Sequence, residues 1–134
     1  MPPKTMPTTP IEAYKAIIDQ LVQENSQSIG ERLLRESGLY SKSKSPEAAA
    51  GNELARSVTH EQRVVLGQML RHERIGAIHD VLAMLTWWLL CHGVGLTFHG
   101  QPMPIDLSGM GLHGDYIGRL NKWPWPEDAE LGKE

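Results

Sequence analysis

Apolar residues recur at helical spacing through the first third of the chain. Ile11, Tyr14, Ile18, Leu21, Val22, Ile29 and Leu33 fall on one stripe at about 100° per residue. The stripe covers less than half the circumference, so one buried face is predicted. The helix is expected to begin near Ile11, bend at residues 25–28 and stop at Gly38. Glu31 and Arg35 form an i,i+4 pair that supports its last turns. Ser45-Pro46-Glu47 reads as an N-cap, a first-turn proline and a first-turn acid, opening a helix to about residue 56. Thr59-His60-Glu61-Gln62 is a capping box. The helix behind it turns Val65, Leu66, Met69 and Leu70 inward, and Gly76 kinks or ends it. Residues 77–91 are apolar nearly all round, with Val81, Leu82, Ala83, Met84, Leu85, Trp87, Trp88, Leu89 and Leu90. A helix of that kind is expected at the centre of the fold.

The character changes at Gly93. Seven of the 13 glycines lie between Gly93 and Gly118. Residues 96–105 read as two extended pieces around a His99-Gly100 turn. Pro102 and Pro104 confine the second piece to an edge. Asp115 is expected to cap a last short helix from Tyr116 to about Asn121 and to pair with Arg119. Trp123-Pro124-Trp125-Pro126 should fold its indoles back on the protein. The fold expected is mainly α: a single-domain bundle of four to five helices with a small β-hairpin near 96–105. Residues 1–10 form a flexible N-terminal arm, 11–126 the helical domain and 127–134 an acidic C-terminal tail.

Charge narrows the function classes. The 134 residues carry 13 Lys+Arg against 16 Asp+Glu, a net −3. Glu127, Asp128, Glu130 and Glu134 against Lys133 account for all of it, so the rest of the chain is neutral. Arg56, Arg63, Arg71 and Arg74 alternate with Glu53, Glu61 and Glu73. That is a balanced helix surface, not the field a nucleic-acid site needs. The longest apolar run, residues 81–91, is far short of the about 20 residues of a bilayer span, and no membrane partner is expected. The proline-rich start does not read as a signal peptide. A single cysteine, Cys91, excludes an internal disulfide and fits a cytoplasmic location.

The candidate chemistry is sparse. Gly109-Met110-Gly111-Leu112-His113-Gly114 matches G-x-G-x-x-G in letters only. No βαβ unit can follow it, and Asp115 would repel a phosphate. No two of His60, His72, His79 and His92 stand at the i,i+3 or i,i+4 spacing of helical metal ligands. A metal site would have to be assembled across elements, from His79 and Asp80 with His113 and Asp115. That is the alternative reading, a small metal-dependent hydrolase. The opposing reading is that His79 and Asp80 make hydrogen bonds that fix their helix. Cys91, at a helix C-terminus, reads as an inert thiol. Met84, Leu85, Trp87 and Trp88 could line an apolar pocket but read first as core. The polar set His113, Asp115 and Arg119 beside Trp123 and Trp125 is the recognition-type grouping. With His79 and Asp80 these are the candidate binding residues.

Four segments resemble a family of small uncharacterised bacterial proteins. They are EQRVVLGQML at 61–70, ERIGAIHDVLAML at 73–85, GVGLTFHGQPMP at 93–104 and GLHGDYIGRLNKWPWP at 111–126. The resemblance implies a soluble bacterial protein and supplies no reaction or ligand. The leading expectation is a non-enzymatic interaction or regulatory module without a cofactor. Its partner is another protein or a second copy of itself.

Overall fold

The structure, a computed structural model, describes residues 5–126. The expected arm therefore lies partly, and the acidic tail wholly, outside the described residues. The order is α1 (Pro10–Glu24), α2 (Ile29–Ser37), α3 (Pro46–Ser57), α4 (His60–Cys91), β1 (Thr97–Phe98), β2 (Gln101–Pro102) and α5 (Gly111–Leu120). The protein is mainly α with one small antiparallel hairpin. Two compact units are distinguished, one built from the chain through Glu24 and from Ala77 onward, the other from Asn25–Gly76.

The first unit begins with a capping box that the proline-rich start conceals. Thr9 Oγ1 accepts the Glu12 amide at 3.3 Å, and Glu12 Oε2 accepts the amides of Thr8 and Thr9. The Thr8 amide foremost, then its hydroxyl, holds the Glu12 carboxyl below the usual range. Pro10 then takes the first helical position, where its missing N–H costs nothing. Ala13, Tyr14 and Ile18 of α1 are buried. Leu112 and Tyr116 of α5, against which α1 packs, are buried in the same unit, as are Met103 after the hairpin, Leu82 and Leu89 of α4, and Trp125. The hairpin pairs Thr97 with Pro102 and Phe98 with Gln101. His99 at φ +48° and Gly100 at φ +78° make the two-residue turn with positive φ at both positions.

In the second unit the expected single helix through residue 37 is two helices. Ser28 is extended, and its hydroxyl accepts the Glu31 amide at 3.0 Å. A serine free to cap a new helix is a better stop than a bend. Gly38 closes α2 in the left-handed conformation, as its sequence position suggests. Leu33, Leu34, Ala48 and Ala55 are buried. Asn52 of α3 fixes the connection after α2: its Oδ1 accepts the amides of Tyr40 and Ser41, and its Nδ2 donates to Ser41 O. Arg63 Nη1 donates to the carbonyls of Ala55 and Val58, a cation at the end of α3. The Thr59–Gln62 capping box opens α4 as expected, with both of its hydrogen bonds made.

Four readings of α4 and α5 need correction. Gly76 does not end α4, which runs unbroken for 32 residues. The inward set of its first half is reduced, because Val65 and Met69 are exposed. The apolar second half is not enclosed: only Leu82, Thr86 and Leu89 are buried, while Val81, Met84, Trp87, Trp88 and Leu90 are exposed, and Cys91, expected to be packed, is exposed as well. The fourth correction concerns α5, which starts at Gly111 rather than Tyr116. Asp115 is inside the helix and caps nothing. The α5 N-terminus is served from another element, where Thr86 Oγ1 accepts the Leu112 amide at 3.0 Å and donates to Leu82 O at 2.8 Å. Gly111, at φ +73°, permits this approach, since a Cβ there would meet Thr86 Cγ2 at 2.7 Å.

Candidate functional site

The functional residues of α5 are set by a cap. Lys122 is left-handed at φ +61°. Its amide donates to Arg119 O at 3.0 Å, and the Trp123 amide donates to Gly118 O at 2.9 Å. This is the Schellman arrangement, and it turns the chain back along the helix it ends. The Trp123 ring then lies on Gly118, where a Cβ would stand 3.3 Å from its Cε3.

Asp115 and Arg119 share one face of α5 but do not pair with each other. Asp115, 4% exposed, accepts a hydrogen bond from the Tyr14 hydroxyl of α1. Arg119 reaches Asp19 of α1, Nε to Oδ1 at 2.7 Å, and donates from Nη1 to Trp123 O at 2.7 Å. Trp125 Nε1 adds a 3.4 Å contact to Asp19 Oδ2, and the guanidinium stands 5.2 Å from the Trp125 ring centre. Trp125 also tilts against Tyr14 at 5.9 Å. The i,i+4 pairing expected from sequence does not form, because α1 offers Asp115 the buried Tyr14 hydroxyl and Arg119 the Asp19 carboxylate. Trp125, 4% exposed, is part of the core. Trp123, 54% exposed, faces outward. Asp115, Arg119, Trp123 and Trp125 together line a pocket of about 240 Å³, with Met110, Ser108 and the two prolines beside the indoles.

The histidines gather elsewhere. The rings of His79 and His113 meet edge to face, 5.1 Å between centres, and His79 Nδ1 lies 3.1 Å from Asp80 Oδ1. His113 Nδ1 is buried without a hydrogen-bond partner. Asp115 does not join them, because its carboxyl is on Tyr14. Among the described residues no three His, Cys, Asp or Glu side chains stand where they could hold one metal ion. The four-residue metal centre of the alternative reading therefore lacks its geometry. The glycines of the G-x-G-x-x-G match serve the loop and the start of α5: Gly109 and Gly111 have positive φ, and a Cβ on Gly114 would meet Met110 Cβ at 2.3 Å.

Sequence reasoning missed one surface. Val81, Met84 and Trp88 project from α4 opposite the buried Leu82, Thr86 and Leu89, with Trp87 and Leu90 flanking them. Trp87 and Trp88 are 52% and 44% exposed. Their rings meet edge to face at 5.4 Å, and His92 closes on both, 4.0 Å from Trp87 and 5.0 Å from Trp88. Residues 81–105 contain no Asp, Glu, Lys or Arg. By length and composition α4 would also suffice to cross a membrane, but Leu82, Thr86 and Leu89 commit one of its faces to protein.

The model of the Family of unknown function (DUF6547) matches residues 7–127. The chain belongs to this family. The match takes in α1 through α5, and with them both the α5 pocket and the outer face of α4 in this DUF6547 protein. No curated protein and no solved structure matches it.

Proposed function

We propose that this DUF6547 protein is a non-enzymatic interaction module of the bacterial cytoplasm that docks the outer face of α4 against a second copy of itself. One observation carries the reading: two half-exposed indoles stand on an apolar stretch of α4 whose one neighbouring acid is Asp80, a residue before Val81. With Val81, Met84, Leu90 and Val94 they offer on the order of 500 Å² of apolar surface, at the upper end of the largest patch on an ordinary monomer. That is somewhat below the roughly 800 Å² per partner of a standard interface. It suits a reversible dimer.

Charge favours a second copy as the occupant. A two-fold interface sets each residue near its own equivalents, so like charges on the face would oppose association. Residues 81–105 bring none, and Asp80 stands before them on α4. An acidic partner would find no cation here, and a basic one only the single carboxylate of Asp80.

The test is a variant series read by light scattering on elution. Trp88→Glu or Val81→Asp is expected to reduce the wild-type dimer to a monomer with an unchanged far-UV spectrum. Trp123→Glu, on the α5 pocket, is expected to leave the dimer intact. A monomeric wild type, or a Trp88→Glu protein as dimeric as the wild type, overturns the reading. Stable sedimentation of the wild type with neutral phospholipid vesicles, in place of dimerisation, would show the face to be a membrane surface.

A further inference from the structure

The α5 pocket holds a buried acid with no ion-pair partner, and this observation stands apart from self-association. Two acids, Asp19 and Asp115, and two bases, Arg119 and Lys15, gather around it, the Lys15 Nζ 5.8 Å from the Trp125 ring centre. Arg119 is matched: Asp19 takes its Nε, and the Trp123 carbonyl takes its Nη1. Asp115 is not matched. Its carboxyl is buried, its partner is the neutral Tyr14 hydroxyl, and no Lys or Arg among the described residues comes within ion-pair distance of it. The state of Tyr14 agrees. Burial first, and then the hydrogen bond and charge of Asp115, hold that phenol protonated well above the ordinary tyrosine range. A buried carboxylate without a cation is costly.

The walls supply what the carboxylate lacks in selectivity. Trp123 presents an indole to the pocket, Trp125 and Met110 line it, and Pro124 and Pro126 stiffen its rim. Indole faces attract cations. The pocket is also held in shape: the left-handed Lys122 and the bare Cα of Gly118 seat Trp123 where it is. Aromatic walls, an uncompensated acid in the lining and a volume of about 240 Å³ specify a small ligand with an apolar body and one positive charge.

We propose that this pocket binds a small organic ammonium ion, with Asp115 as its counter-ion and the Trp123 indole as its wall. The charged head replaces the missing cation beside Asp115, and the hydrocarbon part lies along the indoles and Met110. Arg119 acts as a positioning residue, held by Asp19 so that it closes the pocket without opposing the ligand.

The experiment uses the full chain and three probes of matched shape: 2-phenylethylammonium, 2-phenylethanol and 3-phenylpropionate. The four indole N–H signals are followed by ¹H–¹⁵N correlation spectroscopy. The ammonium probe is expected to shift the Trp123 and Trp125 signals saturably and to leave those of Trp87 and Trp88 in place. The alcohol and the carboxylate should shift neither pair. Asp115→Asn keeps an acceptor for Tyr14, and it and Trp123→Ala should each weaken binding by about tenfold or more. If Asp115→Asn fails to fold, Trp123→Ala decides, since its side chain is exposed. Equal binding of carboxylate and ammonium, unaltered affinity in Trp123→Ala, or no saturable shift at tens of millimolar probe overturns the proposal.

Discussion

Lys122 holds the left-handed conformation that helix ends usually give to glycine. A side chain there costs roughly 1–2 kcal/mol, and the cost sits beside the pocket whose Trp123 wall it positions. Lys122→Gly is expected to raise stability by about 1 kcal/mol in denaturant unfolding, the strain relief being partly offset by backbone entropy. Tyr14 offers a pH-dependent test. Its proton is held in the folded chain above the ordinary range, whereas an unfolded tyrosine releases it near pH 10. This contribution to stability is therefore complete below about pH 10 and is lost as the pH rises beyond it, by up to about 1.4 kcal/mol per pH unit. Tyr14→Phe should remove that alkaline slope. It should also cost about 1–3 kcal/mol at neutral pH, because Asp115 loses its donor. Unfolding midpoints between pH 8 and 11 check both. At this scale the sequence named the right residues and the wrong partners. Asp115 and Arg119 stand at i,i+4 spacing, but the hydroxyl of Tyr14 and the carboxylate of Asp19 are about 100 positions away, and only the fold brings them near.

Local chemistry decided most of the elements. Ser45, Thr59 and Gly38 mark helix ends that the structure confirms, because each acts on amides or carbonyls within four residues. Where an end is served by a distant group, local signals mislead. α5 begins at Gly111 since Thr86 accepts the Leu112 amide, and nothing near residue 111 announces it. Gly76 is the opposite case, a local breaker overruled. Nothing stands within 4 Å of a Cβ built on it, and α4 passes through it unbroken. Gly76→Ala should therefore stabilise the protein by about 1 kcal/mol. A destabilised variant would show that the chain departs from helix at residue 76.

At the scale of the whole molecule, the outer face of α4 was hidden by a reasonable rule. An all-round apolar helix is usually a buried one. Burial on every side needs neighbours on every side, and the unit containing residues 77–91 has only α1, α5 and the short hairpin to give. The sequence reading places four to five helices in one bundle around residues 77–91 and so gives no sign of that shortage. The family match fixes kinship across residues 7–127, and the proposed function rests on two surfaces, the apolar face of α4 and the pocket of α5. Self-association through the first is the central claim. Sedimentation equilibrium of the wild-type chain over a wide concentration range tests it most directly. The account predicts a weight-average mass that climbs with concentration from the 15.0 kDa of one chain toward twice that value. A mass fixed at one chain at every concentration would contradict it.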